Sequence, residues 1–458
     1  YINNSPDQLT YLWVQLEENQ RGPDSATPKA AESSISDRMT LRTLEGLIWA
    51  NDDFGYKVLE VKDAKGNPLS VTVNQTMMRI DLPTPLKAGE SFTFGVEWTF
   101  NITNRVGYIS GRPGYEFFEE DGNYLYTMAE WFPRMAVYSD FEGWQNKQFM
   151  GSGEFALVFG NYEVNITVPA DHMVGATGEL QNASQVLSTT ELSRWNTAKK
   201  TYDNPVVIRT QEEATELEKG KATGTKTWKF KAENVRDFAW TSSRKFIWDA
   251  MAVKQGGKDV MAMSYYAKEA NPLYGQYSTR VVAHTIKSYS AHTFDEGLNT
   301  FMQFMAEQEW DRNFPSRRGP AHMIVPYMRS EVNTLEPIMT NSENIIQFGP
   351  NAYAKPATAL NILRETIMGR ELFDYAFKEY ARRWMFKHPT PEDLFRTMED
   401  ASAVDLDWFW RGWFYGSEPV DIAIENVTLY KMNNLTPAER KAEMKVEADS
   451  IKRTSRKQ

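Results

Sequence analysis

Segments in which apolar and polar residues alternate with a period of two dominate the first half of the chain. Residues 91–100 (SFTFGVEWTF) alternate along their whole length, and residues 155–168 and 225–232 behave in the same way. This pattern is typical of strands that bury one face. Gly, Pro and Asn separate the segments, as in the turn at 63–68 (DAKGNP). The pattern predicts a β-sandwich or saddle over residues 1–243.

After Arg244 the apolar residues recur at helical spacing instead. Residues 277–294 and 296–310 are long helix candidates on this criterion. Residues 357–367 continue the pattern, and Gly369 follows them as a stop signal. The sequence therefore predicts that the chain is mainly helical from about residue 244 onward.

Three other segments complete the organisation. Thr390 is an N-cap residue, and the Pro and two acidic residues that follow it predict the start of a helix. Residues 420–430 alternate like a strand, and the charged residues after them are helical or frayed. Residues 210–224 are charged and rich in Gly and Thr, which predicts an exposed excursion.

The pattern divides the chain into three predicted domains. We assign residues 1–243 to an amino-terminal β domain, 244–418 to a mainly helical domain, and 419–458 to a carboxy-terminal strand and charged tail. A chain of 458 residues is too long for one hydrophobic core, which agrees with this division. The predicted fold class is α+β.

Composition excludes several classes of function. The formal net charge of −10 argues against a nucleic-acid partner, because phosphate binding needs clustered Lys and Arg. The chain has no Cys, which excludes disulfides, Cys zinc sites and thiol catalysis. No apolar run approaches the roughly 18 residues that a membrane-spanning helix requires.

Five short segments, in this order, carry the chemistry. They are YTMAEWFPR (126–134), DFAWTSS (237–243), DEG (295–297), YAKPA (353–357) and LDWFWRGW (406–413). Together they resemble the gluzincin zinc aminopeptidases, the aminopeptidase N-like family, and most closely a bacterial branch with a strongly aromatic amino domain. The resemblance extends from about residue 8 to residue 430 and implies that residues 244–418 form a thermolysin-like catalytic domain.

The resemblance also implies roles for particular residues. Glu296 corresponds to the third zinc ligand, and Tyr353 to the hydroxyl that donates to the developing oxyanion. Glu130 is the candidate that binds the α-amine of a peptide. Without the resemblance, Glu296 is an acidic residue favoured at a helix N-terminus, Tyr353 a buried aromatic residue, and Glu130 a strand-end carboxylate.

The central motif of the family is absent from this sequence. None of the five His residues is followed by Glu, so there is no H-E-x-x-H helix to supply two zinc ligands and the general base. The G-x-M-E-N-type loop that helps to bind the substrate amine is absent as well. The interval between Asp237 and Glu296 is too short for both, which implies an internal deletion of several tens of residues.

The sequence leaves several functions open. His292 lies four residues before Glu296, so a continuous helix would place both on one face as a replacement metal pair, and His284 lies about two turns earlier. Otherwise both His residues are incidental. The first hypothesis is a zinc metalloaminopeptidase lineage that is impaired or inactive in this chain. The alternatives are a metal-free pseudoenzyme that binds peptides or acts as a scaffold, and a disrupted gene product.

The resemblance also sets expectations for partners and compartment. Peptides are the expected substrates or ligands, and zinc is the cofactor of the family, with no cofactor in this chain as the alternative. The bacterial branch favours a periplasmic, envelope or secreted protein, with the cytoplasm as the other possibility.

Overall fold

The structure is a computed structural model that describes most of the chain. It covers residues 1–26, 39–41, 44, 53–105, 112–151, 153, 156–289, 296–319, 321–418, 425–429 and 435–454. Its contacts separate two compact units, Tyr1–Ser417 and Glu418–Gln458. The boundary at residue 243, between the β domain and the helical domain, stays a prediction. Among the described helices, none has the length and apolarity to cross a membrane.

The strands are concentrated in the first 266 residues. They are β1 Leu9–Gln15, β2 Lys57–Asp63, β3 Val71–Asn74, β4 Met77–Leu86, β5 Phe94–Thr99, β6 Gly114–Phe118, β7 Asn123–Met128, β8 Arg134–Met135, β9 Tyr138–Ser139, β10 Gly143–Trp144, β11 Gly160–Pro169, β12 Met173–Ala176, β13 Glu179–Leu180, β14 Val206–Arg209, β15 Thr225–Val235, β16 Trp240–Ser243, β17 Ile247–Gln255 and β18 Lys258–Tyr266.

Helices dominate the chain after Tyr266, and shorter ones also lie among the strands. They are α1 Ala183–Val186, α2 Thr189–Ala198, α3 Gln211–Glu218, α4 Leu273–Tyr289, α5 Glu296–Trp310, α6 Val325–Met328, α7 Lys355–Ile362, α8 Arg370–Trp384, α9 Pro391–Ser402, α10 Asp407–Trp410 and α11 Pro437–Thr454. Three π-helical turns, Gly349–Ala354, Leu363–Ile367 and Arg411–Tyr415, adjoin α7 and α10.

The strands pair antiparallel and form small sheets. The orders are β3-β4-β1-β8, β2-β5, β12-β16-β7-β6, β11-β15-β13, β14-β17-β18 and β10-β9. The alternation within β11 and β15 buries one face, as the period of two predicts, and that face supplies Ile166, Trp228 and Phe230 to a core. The mixed α/β structure with many antiparallel sheets agrees with the predicted class at this level.

The expected change to helix at residue 244 is wrong, because β17 and β18 follow. Residues Ile247–Val253 are all buried, so this strand shows no alternation. A continuous apolar run can be either a strand buried on both faces or a buried helix, and periodicity does not separate the two. The helical part therefore begins only after Tyr266.

Two other expectations need correction. Residues 210–224 are not a simple excursion, since Thr210 and Glu213 form a capping box that starts α3. Of the predicted strand 420–430, only residues 425–429 are described, and these have no regular structure. By contrast, the start at Thr390 is confirmed, because Thr390 and Asp393 form the capping box of α9.

Helix α4 is attached to the hairpin β17–β18. Met251, Val253, Ala262 and Ala283 form an apolar cluster between them. A buried polar group lies beside this cluster. Asp249 accepts hydrogen bonds from Thr279 and, at 2.7 Å, from the Tyr266 hydroxyl.

The helices share a second large core. Aromatic residues of α5, α8, α9 and α10 dominate it, among them Phe301, Phe373, Phe377, Phe395 and Phe409. Helix α7 contributes residues to the same cluster. Helix α5, which begins at Glu296, and the elements that carry YAKPA and LDWFWRGW thus pack on one core.

A buried ammonium group joins several of the β elements. The Nζ atom of Lys245 lies between the carboxylates of Asp121, Glu218 (3.1 Å) and Glu269 (2.9 Å). Burial acts to lower the pKa of Lys245, but the hydrogen bonds to the three carboxylates raise it overall. Lys245 therefore connects the turn before β7, the end of α3 and the link before α4 to the start of β17, and Lys268 adds a second ion pair with Glu218.

We expect Lys245→Met to destabilise the protein strongly. The change leaves three facing carboxylates without their central cation, and removing one partner of a buried ion pair costs about 3–5 kcal/mol. Urea unfolding measures the effect, with Lys221→Met at an exposed position as the matched control. Equal stabilities of the two variants would contradict this role for Lys245.

Candidate functional site

The first two family-like segments meet in space. Strand β16 pairs antiparallel with β7, with Trp240 opposite Met128. Arg134 donates from Nη1 to Asp237 Oδ2 at 2.7 Å. The indole N–H of Trp131 donates to the carbonyl of Phe238 at 2.8 Å. The segments 126–134 and 237–243 therefore form one local structure around Glu130.

Glu130 is buried and has an unusual backbone conformation. Its φ angle is +54°, a left-handed value that non-glycine residues adopt rarely. The hydroxyl of Tyr56 donates to the carbonyl of Glu130 at 2.5 Å and stabilises this conformation. The Glu130 carboxylate lies 3.9 Å from Nε of Arg112, whose side chain is largely exposed. Backbone strain of this kind concentrates at functional sites.

Two more buried carboxylates belong to this region, and the sequence analysis missed them. Glu17 and Glu18 follow β1 and are only 2% and 1% exposed. Arg134 donates from Nε and Nη2 to Oε1 of Glu17, at 3.2 and 2.5 Å, and Arg21 donates to Glu18 at 2.5 Å. Within the described residues, Oε2 of Glu17 has no hydrogen-bond partner.

The electrostatic state of Glu17 follows from this burial. Burial raises the pKa of Glu17 to about 7, and the nearby Glu130 acts in the same direction, while Arg134 acts against both. Burial also raises the pKa of Glu18, against the effect of Arg21. Burial thus favours the protonated form of both carboxyls, and Arg134 and Arg21 oppose it.

Tyr353 lies in the helical part, in the π-helical turn Gly349–Ala354 that leads into α7. Such turns occur often at functional sites. The ring of Phe348 contacts the Tyr353 ring edge-on, with centroids 6.0 Å apart. On the ring of Tyr353 lies the guanidinium of Arg318, 3.8 Å from the centroid.

Lys355 anchors the turn that carries Tyr353. Its side chain is buried, and Nζ donates to the carbonyls of Glu336 (3.2 Å) and Gly416 (3.1 Å). Burial lowers the pKa of Lys355 to about 8. The Asn351 amide donates to the carbonyl of Pro337 at 3.1 Å and adds a second attachment.

The structure describes the predicted metal-binding residues only in part. Glu296 is the first residue of α5, but the position of its side chain lies outside the described structure. His292 also lies outside the described residues. The contacts described for Glu130 and for Tyr353 involve different partners.

Helices α4 and α5 pack directly against each other. Only positions 290–295 separate the end of α4 from the start of α5. The His284 Nε2 atom lies 3.0 Å from the carbonyl oxygen of Ala306, and its ring contacts Trp310 edge-on. The hydroxyl of Ser288 donates to Glu309 at 2.7 Å. His284 thus serves as a contact between two helices.

Two other histidines of the described structure lie beside groups outside α4 and α5. Nδ1 of His172 lies 2.9 Å from the Ser242 hydroxyl, and burial together with Arg244 lowers the pKa of His172 to about 4. His388 contacts the ring of Phe159.

Two groups of three carboxylates are close enough to hold a cation in the described part of the chain. The first consists of Asp121, Glu218 and Glu269, and Lys245 already supplies its positive charge. The second consists of Glu399, Asp405 and Asp407, where Glu399 and Asp405 accept backbone N–H groups before α10. Catalytic zinc requires three protein ligands, usually including His. The described residues therefore do not fit a zinc site.

Comparison with known proteins gives a likeness of fold. No family model matches the chain, and no curated protein matches its sequence. The M1 zinc metallopeptidase of Deinococcus radiodurans has a TM-score of 0.54 at 13% identity, covering 91% of this chain and 88% of that chain. A variant from the same organism bound to a Tyr-Ser-Ala substrate gives 0.54 at 13%, with coverages of 91% and 89%.

A two-domain M1 zinc metallopeptidase variant bound to L-tryptophan is also similar. Its TM-score is 0.53 at 13% identity, and the match covers 91% of this chain and 88% of that chain. At this identity the comparison concerns the fold alone. The chain has a peptidase-like fold that resembles the two-domain M1 zinc metallopeptidases.

We expect the Glu17 carboxyl to make stability fall as pH rises from about 4.5 to about 7. Its folded-state pKa is above its unfolded value, so the folded state binds the proton more tightly and loses that advantage on ionisation. The effect is on the order of 3 kcal/mol. Urea unfolding between pH 5 and 7.5 measures the slope, and Glu17→Gln should flatten it. A variant with an unchanged slope would contradict the assignment.

We also expect an apolar surface of α4 to bind a hydrophobic dye. Leu273, Tyr274, Tyr277 and Val281 are 44–62% exposed and share one face of the helix. The double variant Tyr277→Ser/Val281→Ser should reduce dye fluorescence and change stability by no more than about 0.5 kcal/mol. An unchanged dye signal, together with a sharp melt at high temperature, would argue against an uncovered face.

Proposed function

We propose that this protein descends from the M1 zinc aminopeptidases and binds peptides by their amino end without hydrolysing them. An internal deletion between α4 and α5 has removed the zinc helix. The support for this proposal is the fold likeness, the order of the five segments, and the absence of H-E-x-x-H from the sequence. Without two His ligands and the general base, the chain lacks the residues that hold the zinc ion and accept a proton from its water in this family.

The buried Glu130 is the observation that carries the binding function. A strained backbone and the Tyr56 hydroxyl hold this residue next to two further buried carboxylates. A protonated α-amine is an ammonium group with three N–H donors, and a preorganised carboxylate is its natural acceptor. In this role the Glu130 carboxylate accepts hydrogen bonds from the amine.

The exposed face of α4 favours a second candidate, a disrupted gene product. A fold that has lost covering segments exposes apolar surface, and four apolar side chains of α4 are exposed. This candidate predicts no specific peptide binding. A peptide-binding pseudoenzyme predicts binding that persists when a chelator is present.

The direct test is calorimetric titration with a short peptide in the presence of a chelator. We expect the free peptide to bind and its N-acetylated form to bind at least about tenfold more weakly, since a charge-assisted hydrogen bond is lost. Glu130→Gln should remove this difference, whereas Glu120→Gln at an exposed position should retain it. If the acetylated and free peptides bind equally to the unchanged protein, amine recognition is refuted.

A gain-of-function experiment tests the descent. Insertion of an H-E-x-x-H segment of the family before Asp295 should restore zinc binding, because Glu296 would regain the two His partners that a catalytic zinc site needs. Replacement of Glu296 by Gln in the restored chain is the matched control. If a well-folded restored chain bound no zinc, the assignment of Glu296 as the ancestral ligand would be wrong.

A further inference from the structure

One aromatic ring connects the β part of the chain with the loop between α8 and α9. Phe159, which precedes β11, contacts Phe386 edge-on with ring centroids 5.6 Å apart, and contacts His388 with centroids 5.9 Å apart. The guanidinium of Arg236, just after β15, lies 4.7 Å from the centroid of the same ring. A cation of the β part and an imidazole of the helical part therefore share one aromatic partner.

The loop that carries His388 has a strained backbone. Phe386 has a φ angle of +61°, a left-handed value that a bulky residue adopts rarely. Such a conformation persists only where the surrounding structure stabilises it. The side chain of Phe386 is 55% exposed, and its described ring contact is the one with Phe159. Any change that weakens the Phe159 contact therefore removes an interaction that stabilises this conformation of the loop.

The surroundings of His388 disfavour a positive charge on its imidazole. Burial lowers the pKa of His388 from its ordinary value of 6.5, and the positive charge of Arg236 acts in the same direction. Among the described residues, no carboxylate is paired with the imidazole to oppose these two effects. Protonation would thus place a second cation in a half-buried position close to the first.

Charged residues next to Arg236 and His388 in the sequence have contacts of their own. Asp237 accepts a hydrogen bond from Arg134 at 2.7 Å, and Asp393 belongs to the capping box of α9. The Lys387 ammonium lies over the ring of Trp384, 5.7 Å from its centroid. In the part of the chain that the structure describes, Arg236 is the charged group that acts on the imidazole.

We propose that His388 is a pH-sensitive switch for the contact between the α8–α9 loop and the β part. Near neutral pH the uncharged imidazole packs on the Phe159 ring. In mildly acidic solution the imidazole gains a proton, and both the cost of burying its charge and the repulsion from Arg236 favour dissociation of the loop. This inference is independent of the proposed peptide binding, since it involves neither Glu130 nor Tyr353.

The direction of the pH dependence follows from proton linkage. In the dissociated loop the imidazole is solvated and has its ordinary pKa, whereas the contact lowers the pKa. The dissociated form therefore binds the proton more tightly. The contact is strongest above pH 6.5 and weakens as the pH falls below this value.

The test is hydrogen–deuterium exchange of the full chain at pH 7.5 and pH 5, corrected for the intrinsic pH dependence of amide exchange. Residues 156–159 and 385–388 report the contact, and the buried strand β17 reports global unfolding as an internal reference. We expect opening of the contact to increase several-fold at pH 5, up to the limit of about 30-fold that an imidazole of ordinary pKa sets. Equal opening at both pH values would overturn the proposal.

Three variants separate the switch from other effects of pH. His388→Gln cannot gain a charge, so its opening should be the same at both pH values, whatever its absolute level. Arg236→Gln should reduce the pH dependence, because the neighbouring charge is lost. His388→Lys carries a charge throughout and should open the contact at both pH values.

His322→Gln is the matched control, because His322 is an exposed histidine outside the contact. It should keep the pH dependence of the unchanged protein. Full retention of the pH dependence in His388→Gln would overturn the proposal, since another group would then be responsible. Loss of the pH dependence in His322→Gln would also contradict it.

Discussion

The direct packing of α4 on α5 is the constraint on which the functional site depends. The contacts from His284 to Ala306 and from Ser288 to Glu309 close the two helices against each other. The resemblance implies an amine-binding loop and a zinc helix in the interval between Asp237 and Glu296. Strands β17 and β18 and helix α4 occupy most of this interval, and only six positions separate α4 from α5. On the proposed descent, two halves of an ancestral site are retained, one around Glu130 and one around Tyr353, while H-E-x-x-H is absent from the sequence.

On this proposal, the amino-terminal half and the helical half are both retained because each is stabilised by contacts of its own. The amino-terminal half depends on Arg134, which connects Glu17 with Asp237, and on the Lys245 ammonium between three carboxylates. The helical half depends on the aromatic core around Phe301 and Phe409. On the proposed descent, neither core needs the zinc helix, so a deletion there would remove the chemistry and leave most of the packing. The uncovered face of α4 is consistent with such a loss.

Local sequence rules predicted the elements whose ends carry their own signals. Thr390 and Gly369 marked a helix start and a helix stop because capping and left-handed backbone are local properties. Strand β17 was missed because both of its faces are buried, which removes the alternation. Helix α3 was missed although Thr210 and Glu213 carried a capping-box signal.

The residues of the candidate site were likewise predicted only in part. The resemblance selected Glu130 and Tyr353, and the structure adds Glu17, Glu18 and Arg318 around them. Those three depend on contacts between residues far apart in the chain, such as Arg134 with Glu17 and Arg318 with Tyr353. A carboxyl pKa that burial raises, or a guanidinium that lies on an aromatic ring, leaves no pattern in a single sequence. Glu296 remains assigned by resemblance, since its side chain lies outside the described structure.

The zinc content of the purified chain tests the central claim most directly. The protein would be dialysed against trace zinc and then against zinc-free buffer. Elemental analysis would then measure the zinc content per chain. Our account predicts a value near zero, because two of the three ligands of the family site are absent. A value near one tightly held zinc per chain would contradict it, and would mean that Glu296 has recruited replacement ligands such as His292.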